Sequence, residues 1–199
     1  MSESSAMPRL KNFHHVAFRC RDTRETREFY EGMLGMPLAA GLRFTERSET
    51  NEPLEYMHIF FQLGDGNYLA FFDGPDSATE EHFRKRTGVN RHVAIETGSI
   101  EDLARFQERL TAHGVEYWGP LDHGFIKSVY FYDPNGIIVE ITARTPQYET
   151  FLADERSRLE SELTAWAEKK RDRKNTAGRP KGARPRRRCH HPIAAKGVS

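Results

Sequence analysis

One stretch of this sequence is used twice. Residues 15–34 read HVAFRCRDTRETREFYEGML, and residues 92–111 read HVAIETGSIEDLARFQERLT. At an offset of 77, His15 falls on His92, Val16 on Val93, Ala17 on Ala94 and Phe29 on Phe106. Repetition at a fixed period means one supersecondary unit built twice and stacked on itself, which removes most alternative topologies. Each copy opens with a short strand pattern and passes into a helix start. Asp22 with Glu25 and Ser99 with Asp102 are capping residues, each followed three positions on by an acid. The first helix is expected to stop near Gly35 and the second near His113-Gly114.

Three strand-like segments follow each helix. They lie at 37–44, 55–63 and 67–73 in the first half, and at 115–118, 126–132 and 137–143 in the second. Asp65-Gly66 is a hairpin signal, and Asp133-Pro134-Asn135-Gly136 a turn. Both halves read strand–helix–strand–strand–strand, an α+β architecture of two paired modules. The linker 74–90 opens on Gly74-Pro75-Asp76 and has room for a short helix over 78–86. The predicted organisation is an N-terminal arm at 1–9, a domain at 10–148 with modules 10–75 and 88–145, a helix at 149–174 and a tail at 175–199. Leu152, Leu159, Leu163 and Trp166 share one face of the helical pattern over 150–172, which suits docking on the domain or on a partner subunit.

Charge separates the tail from the rest. The chain of 199 residues has a formal net charge of +1, but 12 of its 30 basic residues and only 2 of its 29 acidic ones lie between Glu168 and Ser199. Beyond Lys174 the sequence is rich in Gly, Pro and Arg with hardly any apolar content, the composition of a disordered segment. It has no aromatic side chain after Trp166 to stack on bases, so a solvated tail is expected rather than a nucleic-acid site. Cys189-His190-His191 lacks a partner motif for metal. No run approaches the roughly 18 apolar residues of a membrane span, and the polar start MSESSAMPRLKNF is unlike a secretory signal. With two cysteines, Cys20 and Cys189, a disulfide framework is excluded and a reducing cytoplasm is the expected location.

Two HVA strands at matched positions and the closing segment DPNGIIVEIT resemble the vicinal oxygen chelate superfamily, over about residues 10–145. That superfamily includes glyoxalases, bleomycin- and fosfomycin-resistance proteins and extradiol ring-cleaving dioxygenases. The resemblance implies two βαβββ modules whose concave faces form a cup around one divalent metal. It also implies ligands on the first strand of each module and the last strand of the second: His15, His92 and Glu140. The residue chemistry agrees in kind, since two imidazoles and a carboxylate suit a transition metal with open positions for substrate and oxygen. Alternation puts His15 on the face of Ala17, and Glu140 on the face of Ile138 and Thr142. The repeat register selects His15 over His14.

His123, Tyr130, Asp133-Pro134, Gly136 and Glu140 are spaced as in the extradiol dioxygenase signature, although Leu121 stands where that signature prefers a small or β-branched residue. The resemblance makes His123 an acid/base and Tyr130 a hydrogen-bond partner of a substrate oxygen. A neutral imidazole takes a proton near pH 7, and a phenol donates to a developing oxyanion. Ala70 stands where the glyoxalase I and epimerase branches carry a Glu; it neither ligates nor moves a proton, which argues against those branches. His58, in EYMHIFFQL, reads first as a core or surface histidine, with a place in the cup as the alternative. Phe60, Phe61, Phe71 and Phe72 divide by alternation between an aromatic pocket and the core.

The function implied is a non-heme Fe(II) dioxygenase of the extradiol type, acting on a small catechol-like substrate and O2. The alternatives are a lyase, isomerase or transferase of the glyoxalase type using Mn(II), Zn(II) or Ni(II), and a small-molecule sequestering protein. The expected partners are the aromatic substrate and O2, with a homodimer as a further candidate and no membrane.

Overall fold

The structure is a computed structural model that describes residues 10–47, 50–75, 80–84 and 86–177. The arm at 1–9, Cys189-His190-His191 and the tail from residue 178 lie outside the described residues. The elements run β1 (His15–Arg19), α1 (Thr23–Arg27), β2 (Leu38–Glu46), β3 (Pro53–Gln62), β4 (Tyr68–Asp73) and α2 (Glu80–Arg84), then β5 (His92–Glu96), α3 (Ile100–Ala112), β6 (Tyr117–Asp122), β7 (Ile126–Tyr132), β8 (Ile138–Arg144) and α4 (Tyr148–Ala177). α1 widens into a π-helical turn over Glu28–Met33, which ends ahead of Gly35 at φ 74°.

The two halves fold alike, an α+β arrangement of two βαβββ-like modules. Each forms a four-stranded mixed sheet, in the orders β1-β4-β3-β2 and β5-β8-β7-β6, whose first strand pairs parallel with its last. A parallel pair needs a long crossover, and the helix with the two strands after it supplies that in each module. Both predicted caps form: Asp22 accepts from the Glu25 amide, and Ser99 from the Asp102 amide. The β3–β4 hairpin turns at Gly66, φ 84°, where Asp65 accepts from the Asn67 amide at 3.0 Å.

β6 runs on to Asp122, four residues past its predicted end, although it contains Pro120. It is an edge strand, where a missing N–H is tolerated. Its register shifts between Trp118 and Leu121. Gly119 sits inside that shift at φ 111°, and a Cβ there would lie 2.6 Å from the Ser128 carbonyl oxygen. Only glycine fits.

One face of each sheet builds a common core. Ile59, Phe61 and Phe71 from the first module join Val129, Phe131 and Val139 from the second, with Tyr30 fully buried among them. Tyr30 Oη donates to Asp133 Oδ2 at 3.0 Å, and the Phe29 ring lies 6.0 Å from that of Phe131. Asn135 accepts from the Arg21 amide at 3.0 Å and donates to Thr26 Oγ1 at 3.3 Å. The DPNG segment therefore does more than turn the chain: it bolts the second sheet to the helix of the first. Burial raises the carboxyl pKa of Asp133 despite the donors around it.

Phe151, early in α4, stacks on Phe125 at 4.7 Å between ring centroids. The described residues from Leu152 onward belong to a second unit of the chain. The helix continues to Ala177, past the expected boundary at 174. None of the helices among the described residues is long and apolar enough to cross a membrane.

Candidate metal centre

The open face of the second sheet carries a connected polar chain. Strand alternation sends Val129, Phe131, Val139 and Ile141 into the core, so Tyr130 and Glu140 face the other way. The two are cross-strand partners, and Ala94 of β5 is the partner of Glu140 on its far side. Glu140 is only 3% exposed. His92 Nε2 lies 2.8 Å from Glu140 Oε2. Tyr130 Oη donates to Glu140 Oε1 at 3.0 Å, and His123 Nε2 lies 3.0 Å from the same hydroxyl. The phenol has one hydrogen and gives it to Glu140, so His123 Nε2–H is the donor to Tyr130. Burial, and then the neighbouring Glu140, raise the Tyr130 pKa and keep that hydrogen in place.

His92 is held in a defined tautomer. Its Nδ1 is 2.7 Å from the Val89 carbonyl oxygen, an acceptor only, so Nδ1 carries the hydrogen. In the neutral ring Nε2 then presents a lone pair to a carboxylate oxygen. Two acceptors at 2.8 Å need a cation between them, either a proton or a metal ion. Imidazole nitrogen and carboxylate oxygen both ligate divalent metals at about 2.0–2.2 Å, which puts neighbouring ligands about 3 Å apart. The His92–Glu140 pair fits such an ion, and the Val89 carbonyl is the usual kind of outer partner for a ligating histidine.

His15 stands elsewhere. It is exposed on the open face of the first sheet, its Nδ1 2.9 Å from Nδ1 of His14. Its ring lies 6.0 Å from that of His58 and 5.6 Å from that of Phe60. Within one chain His15 is thus not brought together with His92 and Glu140, the other two expected ligands. Among the described residues, no group of three or more His, Cys, Asp or Glu side chains is placed to hold a metal. β1 and β5 border one cavity of about 470 Å³, lined by Val16 and Phe18 from β1 and by His92, Val93, Ala94 and Ile95 from β5. His15 lies on the other face of β1 from Val16 and Phe18.

The first sheet's open face differs in character. Phe60 occupies the place of Tyr130 and Ala70 that of Glu140, because Phe60 pairs with Ala70 across β3 and β4. His58 is 8% exposed and stacks on Phe72 at 3.7 Å between centroids, and its buried Nε2 has no hydrogen-bond partner among the described residues. Of the four phenylalanines singled out by alternation, Phe61 and Phe71 lie in the core, and Phe60 and Phe72 on the open face.

Sequence reasoning missed the aromatic wall beside Tyr130. Trp118 stacks on Tyr130 at 5.6 Å and 14°, and with Tyr132 and Arg86 it lines a cavity of about 630 Å³. The Arg86 guanidinium lies 4.5 Å over the Tyr132 ring. The alternation of SVYFY carried the signal for Tyr132; nothing in YWGP marked Trp118.

The model of the glyoxalase/bleomycin resistance protein/dioxygenase superfamily matches residues 12–141, both modules in full but for the last residues of β8. The chain belongs to this superfamily. A relative from Bacillus subtilis (strain 168), named "Putative ring-cleaving dioxygenase MhqA", is 29% identical over 125 residues. The match takes in 57% of this chain and 35% of that protein, so the chain spans about a third of its relative's length. Among solved structures, a glyoxalase/dioxygenase from Nostoc punctiforme is similar over 72% of this chain and 99% of its own, at 22% identity and a TM-score of 0.52. The fosfomycin resistance protein FosX from Listeria monocytogenes, a variant complexed with Mn(II) and 1S,2S-dihydroxypropylphosphonic acid, is similar over 71% and 99%, at 21% identity and a TM-score of 0.52. A glyoxalase/bleomycin resistance protein/dioxygenase domain from Frankia sp. EAN1pec reaches 0.53 over 69% and 100%, at 20% identity. These likenesses establish the fold.

Proposed function

We propose that the chain is a metal-dependent dioxygenase of the extradiol type, acting on a small aromatic diol, with Fe(II) as the metal. The observation that carries the reading is the 2.8 Å approach of His92 Nε2 to the Glu140 carboxylate, with Tyr130 and His123 in line behind it. His92 and Glu140 would hold the metal, and His15 would complete the set from a second copy of the chain, since in one chain it lies on a different sheet. The name of the B. subtilis relative supports ring cleavage, and Mn(II) in FosX supports a divalent ion in this fold. A bound divalent ion supplies Lewis acidity toward the substrate's oxygens.

The remaining work falls to the chain's own groups. His123, exposed on the turn after β6, takes the proton of a substrate hydroxyl. Tyr130, kept protonated, would turn its one hydrogen from the Glu140 carboxylate to a developing oxyanion once Glu140 is engaged by the metal. Trp118, stacked on Tyr130, gives an aromatic face beside which a substrate ring can lie. Ala70 puts neither a fourth carboxylate ligand nor a carboxylate base opposite Phe60, which disfavours glyoxalase-type proton transfer.

The test is anaerobic loading with Fe(II), then oxygen uptake over a panel of catechols. Stoichiometric O2 consumption with ring-opened product is expected. Turnover without O2 would move the assignment to a lyase, isomerase or transferase, and tight binding without turnover to a sequestering protein.

A further inference from the structure

The last helix carries an apolar stripe and a charge gradient that share one centre. α4 spans Tyr148–Ala177, so its midpoint falls between Glu162 and Leu163. Leu159, Leu163 and Trp166 straddle that point and are 50%, 56% and 53% exposed. Spacings of four and three put them on one side of the helix, as in the seam of a coiled coil. Charge divides at the same place. Residues 148–162 contain five acidic and two basic residues, a net −3, and residues 163–177 two acidic and five basic, a net +3. The helix macrodipole favours acids in the first turn and bases in the last, but its effect fades within those turns. It does not account for Glu155, Glu160, Glu162 and Lys169, which lie well inside.

We propose that α4 is a self-association surface that pairs antiparallel with α4 of a second copy of this chain, about a two-fold axis near residues 162–163. A two-fold contact requires a surface complementary to itself. Turning this helix end for end sets Leu163 against its own copy and Leu159 against Trp166. It also lays the net −3 half on the net +3 half, with Glu155 facing Lys169. A parallel pair would set like charge on like charge along the whole length, with Glu155 beside Glu160, which is the arrangement such flanking positions disfavour. In the antiparallel register Glu162 meets its own copy near the axis, so the contact is not optimised there. The helix is about 45 Å long, and the stripe covers only its middle. A contact confined to that stripe is short, so association through α4 alone should depend on concentration.

The experiment is sedimentation of the full chain over a concentration series, without metal. Wild type should show a reversible monomer–dimer equilibrium. Lys169→Glu with Lys170→Glu should weaken it at least tenfold, and adding Glu155→Lys with Glu160→Lys should restore it, because the inverted gradient is again self-complementary. Glu162→Gln should tighten it. In a Cys189→Ser background, a Leu159→Cys chain mixed with a Trp166→Cys chain should cross-link on oxidation, whereas Leu159→Cys alone should not. A monomer at every concentration, association indifferent to the charge reversals, or cross-linking of Leu159→Cys to itself would each overturn the proposal. The pairing stands or falls independently of the metal, because neither the stripe nor the charged residues belong to that site.

Discussion

The two sheets place different chemistry at equivalent points of the same scaffold. On β7 and β8 the cross-strand pair is Tyr130 with Glu140; on β3 and β4 it is Phe60 with Ala70. The second sheet thus buries a carboxylate and satisfies it with His92 and Tyr130. The first presents aromatic rings around His58, whose Nε2 has no partner, and around the exposed His15. A repeat duplicates the backbone frame, and the side chains on its open faces are free to diverge while the core faces stay apolar. One module is equipped to hold charge, and the other presents the imidazoles of His15 and His58 on an aromatic surface.

The comparison breaks most sharply at the carboxylate. Glu140→Gln should abolish Fe(II)-dependent turnover and lower metal affinity by more than about 100-fold, beyond the usual loss for an outer-sphere partner; titration calorimetry with Mn(II) would check it. The converse change, Ala70→Glu, should not create a second centre. Ala70 is fully buried between Ala17 and Phe60 in the strand register, and an unpartnered carboxylate there should cost about 3 kcal/mol or more. A variant with unchanged denaturant midpoint and a second bound metal would show that the two sheets are interchangeable after all.

His123→Ala comes next. It should keep the metal and lose roughly 10²–10⁴-fold in turnover, the range for removing an acid/base; loss of metal instead would make His123 a ligand. Tyr130→Phe makes the second sheet resemble the first at the matched position. Loss of its hydrogen bond to a charged group should lower turnover by roughly tenfold and leave Fe(II) content unchanged. The smallest effect is expected on the first sheet, where His58→Phe removes a buried, unpartnered nitrogen. The denaturant midpoint should hold or rise, by up to about 1 kcal/mol in stability. A fall of more than that would reveal a partner for His58 in the folded protein.

Much of the frame was legible in local sequence. The alternation of SVYFY between core and open face marks β7 at its observed bounds, 126–132. Both helix caps were legible because an Asp or Ser three residues before an acid acts within one turn. β6 was cut short at 118, since Pro120 reads as a breaker and its tolerance depends on lying at a sheet edge next to the Gly119 bulge. The chain from His123 to Tyr130 to Glu140 was anticipated as separate roles, and its hydrogen-bonded continuity was not.

By itself, the sequence determined the repeat, the order of elements, the parity of each strand and hence which side chains share a face. Those follow from short-range geometry: a period of two along a strand and a cap at each helix start. Only the tertiary structure decided which face of each sheet is turned inward. Phe61, Phe71, Val129 and Phe131 close on Tyr30, and Asp133 and Asn135 lock that closure. Burying those faces together leaves His15 on one open sheet, and His92 and Glu140 on another. No spacing along the chain reveals that separation, because it follows from the apolar area that long-range packing removes from water.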